Sequence, residues 1–230
     1  MDLSSNHVLV IGANGVLGGH IAAGLRAAGA HVVGTARNAE SSSRLDAALD
    51  ERLMVDVEDP TSIEALIAYL STQRIDGVIN AAGLVGFGGP SDTPPAAAAR
   101  LMQVNHLGPA ALITDLLPAL RASAAAGNAP FICSITGVVA ERAFPGMTAY
   151  VASKSAHSAW LRALRLDLRR DGIRVLEARP GHTETGLAGR ALFGAAPRFP
   201  QGLAPERVAE AIVDAIANDI PELASGDFAS

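Results

Sequence analysis

The sequence predicts a three-layer α/β fold, in which a doubly wound parallel sheet is covered by helices on both faces. The chain has 230 residues and is 49% hydrophobic, enough to bury a core and too apolar for a disordered chain. Short apolar runs alternate with longer helical patterns, and such runs are typical of strands buried on both faces of a parallel sheet. Because no linker or repeat interrupts this alternation, we predict a single domain over residues 1–230.

The predicted strands are the short apolar runs, and each is bounded by turn residues or by the start of a helical pattern. They are His7–Ile11, Ala30–Gly34, Arg52–Val57, Asp76–Asn80, Pro130–Ser134 and Ile173–Ala178. A candidate for a seventh strand lies within Glu222–Phe228, near the end of the chain. Right-handed crossovers between consecutive parallel strands then give a doubly wound sheet.

The predicted helices are the longer segments with apolar residues at helical spacing. They are Gly18–Gly29, Ser62–Leu70, Pro95–Ala126, Thr148–Arg170 and Glu206–Asn218. The pair Gly108-Pro109 predicts a bend inside the third of them. Two loops rich in glycine or proline, Leu84–Pro95 and Pro180–Pro205, follow the carboxyl ends of predicted strands. Open α/β sheets bind their ligands at that edge, so we expect the functional site there.

Composition excludes several classes of function. The single cysteine, Cys133, cannot form an internal disulfide or a cysteine-based zinc cage, and we expect no metal. A formal net charge of -5 argues against a nucleic-acid partner, which favours clustered positive charge. No run approaches the length of an apolar transmembrane helix. We therefore expect a cytoplasmic protein with no membrane association.

A glycine-rich turn separates the first predicted strand from the first helix. It contains Gly12, Gly15 and Gly18 at three-residue spacing. Such glycines permit a tight turn, a close approach of the backbone to a pyrophosphate, and close packing of helix on strand. The N-terminus of the helix adds N–H groups and the positive end of its dipole. The position directly after a strand predicts a dinucleotide-binding loop.

The residues at the end of the second predicted strand indicate which nicotinamide cofactor is preferred. An acidic residue there would hydrogen-bond the ribose of NAD, whereas this chain has Ala36 followed by Arg37. The planar guanidinium of arginine suits a phosphate group. We therefore predict a preference for NADP(H), with NAD(H) as a second cofactor that the site could accept. The alternative interpretation of Arg37 is an ordinary solvated arginine.

Tyr150 and Lys154 are four residues apart on a predicted helix and so share one face of it. The chain has seventeen arginines and only one lysine, and only two tyrosines. Arginine has replaced lysine everywhere else, which indicates that position 154 requires a compact ammonium group. A nearby ammonium lowers the pKa of a tyrosine toward a range in which it exchanges protons. The pair is therefore a candidate general acid/base site.

Further motifs follow in order along the chain. Asp56-Val57 ends the third predicted strand, Asn80-Ala81-Ala82-Gly83 ends the fourth, Asn105 lies in a long helix, and Pro180–Thr185 follows the sixth strand. With the glycine loop and the Tyr–Lys pair, this order resembles the short-chain dehydrogenase/reductase family from about His7 to Thr185. The resemblance implies a Rossmann-type fold and a hydride transfer between a nicotinamide cofactor and a carbonyl or alcohol. The glycine spacing, however, is that of the family's extended or divergent branches.

The same resemblance implies which residues bind the cofactor. They are Gly12, Asn14, Gly15, Val16, Leu17, Arg37, Asp56, Val57, Asn80, Ala81, Ala82, Tyr150, Lys154, Pro180, Gly181, Thr183 and Thr185.

The resemblance also implies catalytic roles. Tyr150 is expected to act as the general acid/base, Ser134 to hold the substrate oxygen, and Lys154 to bind the ribose and lower the pKa of Tyr150. Asn105 is expected to help hold a water that relays protons. The interval from Ser134 to Tyr150 is sixteen residues, about three longer than in the family. A rigid count back from Tyr150 reaches Thr136 and Gly137 instead, so Thr136 is the alternative.

The sequence therefore predicts an NADP(H)-dependent oxidoreductase that interconverts a carbonyl and a secondary alcohol. A non-catalytic dinucleotide-binding regulator is one alternative, and an epimerase or dehydratase, suggested by the glycine spacing, is another. Apolar residues in the segments expected near the pocket predict a hydrophobic substrate. The resemblance implies that the two long helices pair with their symmetry mates, so we expect a homodimer or homotetramer.

Overall fold

The computed structural model describes residues 2–228, and a seven-stranded parallel sheet forms the centre of this part of the chain. The strands are β1 (His7–Ile11), β2 (His31–Ala36), β3 (Glu51–Met54), β4 (Gly77–Asn80), β5 (Phe131–Ile135), β6 (Arg174–Ala178) and β7 (Glu222–Leu223). Their spatial order is β3-β2-β1-β4-β5-β6-β7. The chain runs outward in one direction from β1 and in the other from β4, which confirms the predicted doubly wound sheet.

Seven α-helical segments of the described chain connect these strands. They are α1 (Val16–Ala27), α2 (Ala39–Ser42), α3 (Pro60–Leu70), α4 (Pro95–Met102), α5 (Gly108–Ala125), α6 (Thr148–Leu168) and α7 (Pro205–Ala217). Helices α1 and α7 cover one face of the sheet, and α3, α5 and α6 cover the other. The three layers predicted from the sequence are therefore present.

Alternation along the strands divides the apolar residues between two cores. In β1, Val8 and Val10 belong to the core beneath α1 and α7, whereas Leu9 and Ile11 belong to the core beneath α3, α5 and α6. All four are at most 1% exposed, so each contributes about 1.5–3 kcal/mol through burial. Burial on both faces explains why these runs are apolar throughout.

The predicted long helix over Pro95–Ala126 is interrupted one turn before the expected bend. Residues Gln103–Leu107 form a π-helical turn between α4 and α5, a feature often found at functional sites. Gly108 is the first residue of α5, and only glycine fits there because a Cβ would lie 2.0 Å from the carbonyl oxygen of Val57. The interruption therefore lies where the helix passes closest to the chain that follows β3.

Two smaller features complete the fold. The candidate seventh strand exists as β7, which adds two residues in parallel to β6. Helix α2 was not predicted; a capping box between Asn38 and Ser41 stabilises its single turn. Within residues 2–228, no helix is long and apolar enough to cross a membrane.

Candidate active site

The glycine loop after β1 has the geometry that a dinucleotide requires. Gly12 has φ +80°, and a Cβ there would lie 2.9 Å from the backbone nitrogen of Ala82. A Cβ on Gly18 would lie 2.4 Å from the carbonyl oxygen of Gly12, so helix and loop touch through backbone alone. No side chain caps the N-terminus of α1 at Gly15. The first-turn N–H groups are thus left for an anionic ligand such as a pyrophosphate.

A cavity of about 890 Å³ runs along the carboxyl edge of the sheet, past this loop. Most predicted site residues line it, and the exceptions are Asn80, Asn105 and Ser134. The predicted residues that line it are Gly12, Asn14, Gly15, Val16, Leu17, Arg37, Asp56, Val57, Ala81, Ala82, Tyr150, Lys154, Pro180, Gly181, Thr183 and Thr185. Asn80 instead lies buried at the end of β4, where its Oδ1 accepts a hydrogen bond from the backbone nitrogen of Ala82 at 3.3 Å.

Helix α6 brings Tyr150 and Lys154 to the cavity one turn apart. The Nζ of Lys154 donates a hydrogen bond to the carbonyl oxygen of Ile135 at 3.0 Å, which ties the amine to the end of β5. Burial lowers the pKa of Lys154 to about 8 and raises the pKa of Tyr150 to about 12. That Lys154 lowers the pKa of Tyr150 stays a prediction, since burial is the cause of both shifts. Burial favours the neutral form of both groups here.

Asn105 lies behind this pair, in the π-helical turn, and is 1% exposed. Its Nδ2 donates to the carbonyl oxygen of Leu84 and to the Oγ of Ser153, both at 2.9 Å, and its Oδ1 accepts from the nitrogen of Leu84 at 2.8 Å. The carboxamide thus joins the loop after β4 to α6. Its geometry is that of a positioning residue, since the side chain does not line the cavity.

The structure does not place Ser134, the residue expected to hold the substrate oxygen, in the lining of the cavity. Ser134 is 0% exposed and does not line the cavity. Its Oγ lies 3.2 Å from Nε2 of His157 on α6. Side chains alternate along a strand, and Ser134 shares its face with Ile132, which belongs to the core beneath α5 and α6. The hydroxyl is therefore buried beneath α6 before the strand reaches the cavity.

Thr136 and Gly137, the residues reached by a rigid count, do line the cavity. The hydroxyl of Thr136, however, donates to Oε1 of Glu177 at 2.6 Å. Since a hydroxyl has only one proton, Thr136 can accept but not donate a further hydrogen bond while Glu177 is ionised. Gly137 has no side chain and φ +88°. Among these three positions, none presents a free hydroxyl proton to the cavity.

A network around Arg179 joins the rest of the cavity wall to the end of the described chain. Arg179 donates to Glu177, Glu141 and Glu222 at 2.9 to 3.0 Å. Glu141 in turn accepts from the Oγ of Ser225 at 2.6 Å, and Ser225 lines the cavity. This contribution from the C-terminal segment was not predictable, because contacts between residues so far apart leave no local pattern in the sequence.

The wall of the cavity beside Tyr150 includes an apolar cluster. Val85, Phe87, Val139 and Met147 form a small buried cluster against which Tyr150 packs. The two loops rich in glycine or proline meet above it: the nitrogen of Phe87 donates to the oxygen of Phe193 at 3.0 Å. This part of the cavity could hold an apolar molecule next to the Tyr150 hydroxyl.

The family model for short chain dehydrogenases matches residues 6–192, more than half of the chain. The chain belongs to the short-chain dehydrogenase family. Among curated relatives, dehydrogenase/reductase SDR family member 7B of Bos taurus is 30% identical over 241 residues, covering 96% of this chain and 73% of the relative. This family assignment makes the chain an NAD(P)-dependent oxidoreductase.

Solved structures of short-chain dehydrogenases have the same architecture. One from Streptomyces avermitilis has a TM-score of 0.84 at 28% identity and covers 98% of this chain and 90% of its own. One from Burkholderia cenocepacia, in complex with NADP, has a TM-score of 0.84 at 24% identity, with 98% and 90% coverage. These likenesses confirm the Rossmann-type fold.

Proposed function

We propose that this short-chain dehydrogenase is an NADP(H)-dependent oxidoreductase that interconverts a carbonyl compound and a secondary alcohol, with Tyr150 as general acid/base. One observation carries the proposal: Tyr150 and Lys154 line the same cavity as the glycine loop and Arg37. A cofactor along this cavity would reach from the N-terminus of α1 to the Tyr–Lys pair. The proposed cofactor site consists of the predicted cofactor-binding residues that line the cavity, and Asn80 supports it through its hydrogen bond with Ala82.

The preference for NADP(H) rests on the corner of the sheet formed by the ends of β2 and β3. Arg37 is exposed there and lines the cavity, together with Arg44 from the segment after α2. The side chain of Ala36, immediately before Arg37, supplies no carboxylate to bind a ribose hydroxyl or to repel a phosphate. Two guanidinium groups at this corner favour a 2′-phosphate through charge-assisted hydrogen bonds. NAD(H) lacks this phosphate and should bind more weakly.

Tyr150 is the proposed proton donor. A nicotinamide cofactor, when bound, would supply a hydride to the carbonyl carbon, and Tyr150 would give its phenolic proton to the carbonyl oxygen. A pKa of about 12 keeps this hydroxyl protonated at neutral pH, as reduction of a carbonyl requires. Because Ser134 and Thr136 present no free hydroxyl proton, Tyr150 holds the substrate oxygen without a serine. Protonated Lys154 stabilises the phenolate that forms, and Asn105 fixes the loop after β4 against α6.

The apolar cluster around Tyr150 supports a hydrophobic carbonyl compound as the substrate. We also propose a cytoplasmic location and a homo-oligomer, the latter because the family resemblance implies that α5 and α6 pair with their symmetry mates.

The test is reduction of a panel of hydrophobic ketones and aldehydes with NADPH carrying deuterium at the reactive carbon. The proposal expects deuterium in the alcohol product and oxidised cofactor in equal amount. An epimerase would return the cofactor unchanged, and a regulator would bind it with no turnover of any member of the panel. Either of these results would refute the proposal.

A further inference from the structure

The two ends of the cavity differ in charge. Among the described residues that line it, the carboxylates are Asp56 and Glu58, which follow β3. Tyr150 lies near the end of β5, to which Lys154 is hydrogen-bonded. Four strand spacings separate β3 from β5, which is roughly 19 Å. The substrate end therefore lacks a carboxylate in its lining, whereas Arg142 and Arg190 both line it.

The nearest carboxylate along the chain from Arg142 is already engaged. Glu141 accepts hydrogen bonds from Arg179 at 3.0 Å and from the nitrogen and Oγ of Ser225 at 2.8 and 2.6 Å. These contacts turn Glu141 toward the C-terminal segment. Arg142, the next residue, consequently has no acidic partner from its own loop.

Arg142 differs from the other arginine at this end in having its donors free. Arg190 donates to the carbonyl oxygens of Gly186 and Thr185 at 3.2 and 3.3 Å. Within residues 2–228, the guanidinium of Arg142 makes neither a hydrogen bond nor an ion pair. It lies 5.1 Å from the centroid of the Phe144 ring, a cation–π distance, and Phe144 packs on the apolar cluster beside Tyr150.

We infer that Arg142 binds a carboxylate on the substrate, so that the substrate is a carbonyl compound with an apolar body and an acidic end. This inference rests on the proposed function and specifies its substrate class. The apolar cluster accommodates the body, Tyr150 contacts the carbonyl oxygen, and the planar fork of Arg142 pairs with the carboxylate in a bidentate geometry. A single free guanidinium on the wall matches one negative charge, so a carboxylate fits better than a doubly charged phosphate monoester.

The experiment compares matched probes: ω-benzoyl carboxylates of increasing chain length, each paired with its primary amide. The amide keeps the size and loses the charge. With wild-type enzyme and NADPH, at least one chain length should show kcat/KM for the acid roughly tenfold or more above that for the amide. Arg142→Gln should bring this ratio close to one, chiefly through KM for the acid, and Arg142→Lys should give an intermediate ratio.

Arg198→Gln is the matched control, because it removes the same charge from an exposed position that does not line the cavity; it should keep the wild-type ratio. A wild-type ratio near one at every chain length, or an unchanged ratio in Arg142→Gln, would overturn the inference and leave the proposed function intact. If neither acids nor amides nor the neutral ketone panel are reduced, the proposed function fails and the inference falls with it.

Discussion

His157 connects the buried hydroxyl of Ser134 to the surface of the helical layer. Its Nε2 lies 3.2 Å from Ser134 Oγ, and its Nδ1 lies 3.4 Å from Nδ1 of His106. Burial, followed by the charges of Lys154 and His106, lowers the pKa of His157 to about 3. The ring is therefore neutral throughout the physiological range and serves as a hydrogen-bond partner within the core.

This histidine should make stability depend on pH. Because its folded pKa is far below the unfolded value of about 6.5, only the unfolded state gains a proton between pH 6.5 and 3, and stability falls as the pH falls. We expect the free energy of unfolding to drop by on the order of 3 kcal/mol more between pH 7 and 4 in the wild type than in His157→Leu. Denaturant titrations at both pH values measure this difference.

His20→Gln is the control for that measurement, since it removes a histidine from the surface instead of from the core. Equal slopes for the wild type and His157→Leu would show that His157 titrates normally in the folded protein.

We propose that Arg37 and its neighbour Ala36 set the preference between NADP(H) and NAD(H). A charge-assisted hydrogen bond to the 2′-phosphate contributes about 1.5–3 kcal/mol, or roughly tenfold to a hundredfold in affinity. Wild-type kcat/KM should therefore be higher for NADPH than for NADH by about that factor. Combining Ala36→Asp with Arg37→Ile should reverse the ratio through repulsion of the phosphate and a new ribose hydrogen bond. Arg37→Ile alone removes the attraction to the 2′-phosphate without the repulsion that Ala36→Asp adds. A wild-type ratio of kcat/KM for NADPH to that for NADH below one would contradict the assignment of NADP(H) as the preferred cofactor.

At the residue scale, the sequence anticipated the lining of the cavity near the glycine loop better than the surroundings of the end of β5. Gly12 and Gly18 make backbone contacts that leave no room for a side chain. Their spacing in the sequence therefore predicted where the loop lies. The sequence could not show that Thr136 lines the cavity and Ser134 does not, because this depends on where β5 ends and which face each side chain occupies. The free guanidinium of Arg142 could not be foreseen, since it depends on Arg179 holding Glu141 from the other side of the site.

Among the contacts between elements, the contact between the glycine loop and α1 leaves the least room for a side chain. Gly18→Ala would place a Cβ 2.4 Å from the oxygen of Gly12, so the loop or the helix must shift. We expect a loss of about 1–3 kcal/mol in the free energy of unfolding, together with weaker binding of NADPH. Denaturant unfolding and a fluorescence titration with NADPH measure the two effects.

Gly24→Ala in the same helix is the control. Its Cβ would lie 3.2 Å from Cγ2 of Val213, a side-chain atom that can move, and alanine favours the helix by about 1 kcal/mol over glycine. Stability in this variant should change by about 1 kcal/mol or less, with NADPH binding retained. If Gly18→Ala behaved like Gly24→Ala, the close approach of loop and helix would not be required.

Elements with strong periodicity were predicted almost to the residue. Strand β1 is identical to its prediction, and α6 begins at Thr148 as expected, because apolar runs and helix boundaries are local signals. The π-helical turn over Gln103–Leu107 was not predictable, since it depends on the packing of Gly108 against Val57. Helix α2 is a single turn, too short to show a period.

For the whole molecule, the outer face of the helical layer suggests association. Leu107 is 50% exposed and Leu166 is 74% exposed, and both lie on the elements that the family resemblance assigns to a subunit contact. Burying such residues against a symmetry mate is favourable. We predict a homodimer or homotetramer in sedimentation velocity at micromolar concentration, and Leu166→Glu should shift it toward the monomer. A wild-type monomer would contradict this prediction.

We propose that one tyrosine, supported by the only lysine, carries out proton transfer without a serine. The most direct measurement is the turnover of NADPH with a reducible ketone by Tyr150→Phe and Lys154→Arg. Tyr150→Phe should lower kcat by roughly a hundredfold to ten-thousandfold with little change in the dissociation constant of NADPH. Lys154→Arg should also lose most of its turnover, because a guanidinium is larger and less compact than an ammonium. Ser134→Ala should keep kcat close to that of the wild type. A Tyr150→Phe or Lys154→Arg enzyme with normal turnover, or a Ser134→Ala enzyme as impaired as Tyr150→Phe, would contradict the claim.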